Sequence, residues 1–515
     1  MSEQTSPVLS KRQHLFLPAG GGTLFVLMLC FFLFFRPYAL LGDGGTCRHM
    51  LTGEYILKHA SIPTTNYLSA FDANAPWVTH ELVGDLIFAP YYIFGGLNWV
   101  ILTSALAVVT SIIWAYQIGR ARGLGPVLGL GMLAVAVEAC SIHWSARPHL
   151  FTYLTFVAAY YYIFVSNAAY RVRLTAVTLV LLLWGNLHGS FFLGLLLLVC
   201  RLVGDLIEVV DKKLAPQSVS TDEALVDGGG ANLRQSLVML LAAGLASCLN
   251  LRGVQLFGYL TSPAIRMNSD EWRSIDFSFM APALAFLLLF ALLAAIWVYS
   301  EKKPRAGEFL AAGLMFCASV YAMRLFPYFV LLALPAAGPQ WAAICKASLP
   351  PRAKNWLSGL AQREERLNPQ EEQVAKLMPV WLLVSFLVSL AFLLLPLVRI
   401  NDFDPTRLPV AAVTKLQEKN IDGVGFCRDN WGDYLYWRTR KPIFIDDKTD
   451  FYPPQRLDDY ASIYMTYPGW QTTLQKYDFK YMLLPRGLPL TFLLKDNPAW
   501  VKCHEDEVAV LYLKK

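Results

Sequence analysis

The chain has 515 residues, 55% of them hydrophobic and 16% charged, with a mean hydropathy of +0.41. Soluble domains carry about a quarter charged residues, so the composition excludes an ordinary soluble domain and points to a membrane protein. The net charge of +6 is mild and gives no signal for a nucleic-acid partner; in a multi-span chain such a surplus belongs to cytoplasmic loops.

The first apolar run, 23–41, is too long for a signal-peptide core and no small-residue cleavage site follows it, so it reads as a retained first span. It breaks at "LLGDGGTCRHM", where Asp43 opens a polar loop over 43–96 that also holds His49, Glu54, His80, Glu81 and Asp85. Within that loop, 82–94 is apolar but short and reads as a helix lying at the interface. Further runs near 97–118, 124–141, 149–168, 174–186, 190–210, 236–249, 281–300, 306–322, 325–343 and 378–398 bring the expected total to about eleven spans.

With Lys11 and Arg12 placed in the cytoplasm and the sides alternated, the inside loops hold Arg120 and Arg122, Arg171 and Arg173, Lys212 and Lys213, and Lys302, Lys303 and Arg305. Each inside loop thus carries a basic pair or more, as the positive-inside rule asks. The Gly-rich stretch 215–232 reads as a disordered cytoplasmic linker. No internal repeat suggests an inverted-repeat transporter.

The multi-span part is expected over 1–400. An odd number of spans leaves 401–515 outside, and there short strand candidates ("GVGFC", "PIFID", "YMLLP", "EVAVLYL") alternate with helical stretches at Leu408–Lys419 and Gly469–Tyr477. That pattern reads as a small extracytoplasmic α/β domain, without a Gly-rich phosphate loop. Its acids Asp446, Asp447 and Asp450 read as a solvated turn, with binding of an acceptor or an ion the alternative. Its aromatics Trp431, Tyr434, Tyr436 and Trp437 read as packing the domain onto the outer loops, with sugar stacking the alternative. No C-x-x-C pair occurs, and Cys427 and Cys503 are expected as free thiols.

Sorted by membrane face, the outer side collects Asp43, His49, His80, Glu81, Arg147, His149, Asn186, His188, Arg252, Glu271 and Arg324. Singly, each is an ordinary interfacial or snorkelling residue; together they bring acids, histidines and arginines from distant loops to one face. The span middles are nearly free of charge, which speaks against a proton pump or secondary transporter. Transfer of a group from a polyprenyl phosphate needs a carboxylate to take the proton of the incoming hydroxyl and cations to stabilise the departing phosphate. Arginine suits the phosphate because its planar fork donates two hydrogen bonds. "HEL" at His80 lacks the second histidine of a zinc-protease motif, and no G-x-S-x-G is present.

The stretches "DGGTCRHMLTGEYILKHASIPTTNYLSAF", "PWVTHELVGDLIF", "RPHLF", "NLHGSF" and "GDYLYWRTRKPIFIDDKTDFY" resemble the GT-C superfamily of membrane glycosyltransferases, in particular its family 39-like bacterial members. The resemblance implies an α-helical polytopic fold with a soluble C-terminal domain in the inner membrane. It implies an inverting transferase moving a sugar from a polyprenyl-phosphate donor to a lipid, glycan or protein acceptor. The catalytic acid of the first outer loop maps to Asp43, with Glu81 next, and the remaining nine outer residues named above are the substrate and phosphate ligands. Where many members have adjacent acids, Asp43 is followed by Gly44 and Gly45, which leaves a divalent cation (Mg or Mn) open as cofactor. A flippase for lipid-linked glycans and a non-catalytic envelope-assembly scaffold, in contact with membrane lipids, are the alternative readings.

Overall fold

The computed structural model describes residues 19–77, 79–214, 223–260, 274–346 and 378–515. The first helix, α1 (Ala19–Cys30), widens into a π-type turn over Phe31–Phe35 and stops at Pro37, which has no amide proton to continue the ladder. A second helix follows at once, α2 (Gly45–His59), whose first nine residues are all buried although Thr46, Arg48, His49 and Thr52 are among them. It ends at Ala60, which takes a left-handed conformation (φ 49°).

The third helix, α3 (Leu82–Ala121), is broken at Gly96, whose φ of 68° and ψ of −159° are open only to glycine. The break separates the short segment before it from a span-length helix after it, as the sequence pattern suggests. The bundle continues with α4 (Pro126–Cys140), α5 (His149–Tyr160), α6 (Tyr170–Leu187), α7 (Phe192–Leu214), α8 (Glu223–Ser247) and α9 (Gln255–Leu260). It closes with α10 (Met280–Tyr299), α11 (Ala306–Tyr321), α12 (Phe326–Lys346) and α13 (Met378–Leu394).

Among the described residues, four helical segments are long and apolar enough to cross a membrane: Leu82–Ala121, Pro126–His143, Met280–Tyr299 and Met323–Lys346. Four shorter ones are also apolar, Gly21–Phe35, His149–Val165, Ala306–Tyr321 and Pro379–Leu394, so the chain is a multi-pass membrane protein. The linker expected over 215–232 needs correction. Residues 215–222 lie outside the described set, but from Glu223 onward the chain is the first part of α8. The apolar segment 236–247 propagates its hydrogen-bond ladder back through the glycines, each costing only about 1 kcal/mol against alanine.

Past α13 the chain turns at Asn98, whose side chain holds the carbonyls of Phe392 and Val398 and the amide of Ile400. The C-terminal part contains α14 (Val410–Glu418), α15 (Asp429–Thr439), α16 (Pro454–Tyr464), α17 (Trp470–Gln475) and α18 (Pro489–Lys495) around a four-stranded sheet of order β1-β2-β4-β3. Here β1 (Gly425–Cys427) runs parallel to β2 (Tyr481–Pro485), and β4 (Ala509–Lys514) is antiparallel to both β2 and β3 (Trp500–Glu505). "PIFID" is not a strand of this sheet: Ile443 pairs instead with the loop after α2, through Ile443 N–H to Leu68 O (3.0 Å) and Ala70 N–H to Ile443 O (2.8 Å). The sequence reading omitted β3, whose charged and half-exposed residues lack a clean alternation.

The loop and the C-terminal domain are clamped further by Arg456. Its guanidinium reaches Asp72 at 2.7 Å and lies about 5 Å from the ring centres of Phe71, Phe444 and Tyr477. Trp431, Tyr434 and Trp437 are buried, and Trp437 meets Tyr92 edge to face (5.9 Å), so these aromatics pack the domain onto the bundle. All nine cysteines are free.

Candidate active site

Asp43 sits just before α2, where its Oδ1 accepts from the Gly45 amide (2.8 Å) and from Arg147 Nη2 (2.7 Å). Arg147 comes from the turn before α5, and the same nitrogen also bonds Asp447 of the C-terminal domain. Asp447 in turn holds Arg48 of α2, which donates to Asp433 Oδ2 at 3.2 Å as well. Arg147 thus bridges carboxylates of both parts, and Arg48 holds two carboxylates of the C-terminal domain.

The glycines after Asp43 have a steric reason. A Cβ on Gly44 would lie 2.3 Å from the Asn430 carbonyl oxygen, and one on Gly45 would lie 2.1 Å from Arg147 Nη2. The first lets the C-terminal domain seat; the second leaves room for the guanidinium.

Glu81 forms the other half of the cluster, 7% exposed. His188 Nε2 is 3.7 Å away, Lys448 Nζ 3.8 Å and His49 Nε2 4.0 Å. Burial works against its charge, but Lys448, His80, His49 and His188 together hold the carboxyl well below the usual glutamate range. His49 is oriented by Asp85, Nδ1 to Oδ1 at 2.7 Å, and Asp85 is fixed by the Thr79 hydroxyl at 2.8 Å. His188 Nδ1 accepts from the Ser190 amide (3.1 Å), so the neutral ring carries its proton on Nε2, towards Glu81. Burial pushes the His188 pKa down to about 3, with Glu81 opposing. Behind it, His143 and His149 stack at 4.0 Å. Arg324 stands in the short turn before α12 and is felt electrostatically by both His143 and His188.

Asp446 and Asp447 do not form a solvated turn, and the Asp450 side chain lies outside the described set. Asp446 is 2% exposed and Asp433 fully buried. Burial raises Asp433 well above the usual range and pushes Asp446 up to about 6. Burial would raise Asp447 too, but Arg48 and Arg147 overcome it and hold that carboxyl far below the ordinary value. The reason for the difference from the sequence reading is Arg48, a cation from the other end of the chain that a local reading does not place. Oxygens of Asp433, Asp446 and Asp447 lie within 4.8 Å of one another, a donor set that suits a hard divalent ion, with Arg48 and Arg147 already supplying countercharge.

Of the residues expected from sequence, Asp43, His49, His80, Glu81, Arg147, His149, His188 and Arg324 come together here. Asn186 instead gives its amide to the carbonyls of Leu182 and Leu249, tying the end of α6 to the end of α8. Arg252 lies in the turn after α8, its own amide bonded to the Asn250 side chain. Glu271 lies outside the described residues. Arg48, Thr79, Asp85, Asp433, Asp447 and Lys448 were not among the expected ligands. The signal for Arg48 was its place beside His49 in a helix whose neighbours are apolar, and for Asp447 and Lys448 it was the "IDDK" run.

No family model matches the sequence, and no curated protein matches it either. Solved structures do. The chain is similar to the archaeal oligosaccharyltransferase AglB from Archaeoglobus fulgidus, in complex with an inhibitory peptide and a dolichol-phosphate, with a TM-score of 0.53 and 10% identity over 90% of this chain and 69% of that one. It is also similar to ArnT from Cupriavidus metallidurans bound to undecaprenyl phosphate, with a TM-score of 0.51 and 14% identity over 96% of this chain and 98% of that one. On these matches the chain shares the fold of these two membrane proteins.

Proposed function

We propose that the protein is an inverting glycosyltransferase of the inner membrane, moving a sugar from a polyprenyl-phosphate donor to a lipid, glycan or protein acceptor at the outer face. The observation that carries this reading is Arg147, whose one guanidinium nitrogen links Asp43 of the first loop to Asp447 of the C-terminal domain. In the proposed reaction the acceptor hydroxyl attacks the anomeric carbon, its proton passes to Asp43 or Glu81, and the bond to phosphate breaks with its electron pair leaving on the phosphate oxygen. Arg147, with Lys448 and Arg324 behind it, stabilises the growing phosphate charge. Binding of the phosphate to Arg147 exchanges one carboxylate partner for another anion and releases an oxygen of Asp43 for the incoming hydroxyl.

The structural relatives support the substrate class, since the two described above were solved with lipid phosphates. The proposal includes about eleven spans, a cytoplasmic N-terminus and an outward C-terminal domain, supported by the basic residues of the inside loops. It also includes a divalent ion on the Asp433, Asp446 and Asp447 oxygens, tested by chelation and readdition of Mg or Mn. The direct test is steady-state transfer by the purified chain from a polyprenyl-phosphate sugar. Arg147→Ala should raise the donor KM and lower kcat together; an unchanged donor dependence would remove Arg147 from the phosphate site.

A further inference from the structure

The end of the bundle away from the carboxylate cluster holds a second group of charges. A cavity of about 150 Å³ there is lined by Phe164, Arg201, Asp205, Glu208, Asn232 and Arg305, among others. Its distance from the cluster follows from α7. Ser190, just before that helix, supports His188 beside Glu81, and Asp205 lies about 22 Å further along at 1.5 Å per residue. That is most of the ~30 Å thickness of a hydrocarbon core, so the cavity lies at the opposite membrane boundary.

The charges in this cavity are not equivalent. Arg201 is spent on Asp205 (Nε to Oδ1, 2.9 Å), and Asp205 also accepts from the Ser236 hydroxyl at 2.5 Å. Arg305 and Glu208, both exposed, make no side-chain hydrogen bond or ion pair among the described residues. Arg305 is the residue before α11, and its side chain does not cap that helix. The first turn of α11 is pressed against α7: a Cβ on Gly204 would lie 2.3 Å from the Gly307 nitrogen. The amides that open a helix have no partners inside it, and they sit at the positive end of its dipole. Among the described residues the cavity thus offers a cation without a side-chain partner at the positive end of α11 and, separately, a carboxylate without one. A purely anionic ligand would meet Glu208 as a like charge, and a purely cationic one would meet Arg305. A ligand carrying both signs satisfies both. Beside it on α7, Val203, Leu206 and Ile207 are 38–47% exposed, a surface for acyl chains that a free ion would not use.

We propose that this cavity binds the headgroup of an amine-bearing phospholipid, with the phosphodiester on Arg305 at the N-terminal end of α11 and the ammonium on Glu208. The test is native mass spectrometry of the full chain released from nanodiscs of phosphatidylethanolamine and phosphatidylglycerol in equal amounts. The wild type should retain phosphatidylethanolamine several-fold over phosphatidylglycerol. Glu208→Gln should remove the preference while keeping bound lipid, and Arg305→Ala should lose both lipids. Both substitutions are at exposed side chains, so folding is not at issue. Equal retention of the two lipids by the wild type, or an unchanged preference in Glu208→Gln, overturns the proposal. Millimolar inorganic phosphate separates the sources: lipid that stays bound supports a headgroup site, and displacement overturns it in favour of a free-phosphate site.

Discussion

Gly44 and Gly45 show how tightly single residues control the cluster. Gly44→Ala sets a methyl group against a backbone carbonyl that cannot swing aside, so the C-terminal domain must move. We expect a loss of about 1–3 kcal/mol, read by thermal unfolding in detergent, with transfer falling alongside. Lys448 acts on a different atom. It is the largest of the neighbouring charges that hold Glu81 ionised, and once it is removed burial drives the Glu81 pKa upward. Lys448→Met should therefore shift the acid limb of the pH–rate profile to higher pH, with the alkaline side of the profile retained. An acid limb that stays in place would show that Glu81 is not a group that must be ionised. Asp43, Glu81 and Arg147 were legible in the sequence because each flanks an apolar run, and His49 because it follows in the same polar loop as Asp43. Arg48 and Asp447 were not, because their partners are hundreds of positions away and only folding brings them together.

At the scale of elements, the bundle has a second buried ion pair. Arg122 at the end of α3 reaches Glu308 of α11 with two nitrogens (2.6 and 2.9 Å) and also holds the Pro335 carbonyl of α12. Removing one partner leaves a buried charge uncompensated. Glu308→Ala should cost about 3–5 kcal/mol, seen as a lowered unfolding midpoint, whereas breaking an exposed pair such as Lys415–Glu418 should leave the midpoint nearly unchanged. Helix positions were well read from the sequence, since apolar runs of this length have few other solutions. The strands were read less well. "PIFID" has the composition of a strand, but its pairing partner is the loop after α2, and a pairing partner is not a property of the segment itself. The glycines of 228–230 suggested a linker, yet the apolar helix that follows carries them along.

Over the whole molecule, the first loop, the turns before α5 and α7 and the C-terminal domain meet at one place, and none of them holds the cluster alone. The pattern of apolar runs made the gathering of polar residues at their ends readable from sequence. It could not show that the C-terminal domain supplies Asp433, Asp447 and Lys448, because nothing local distinguishes a solvated acidic turn from one that closes over two arginines. The central claim is that this shared cluster carries out transfer from a lipid phosphate. It is tested most directly by measuring single-turnover transfer from a polyprenyl-phosphate sugar by the purified chain and by Asp43→Asn and Glu81→Gln, with donor binding followed in parallel. A carboxylate acting as general base contributes about 10²–10⁴-fold, so at least one variant should lose that much rate while still binding donor. Transfer at the wild-type rate by both variants would contradict the account.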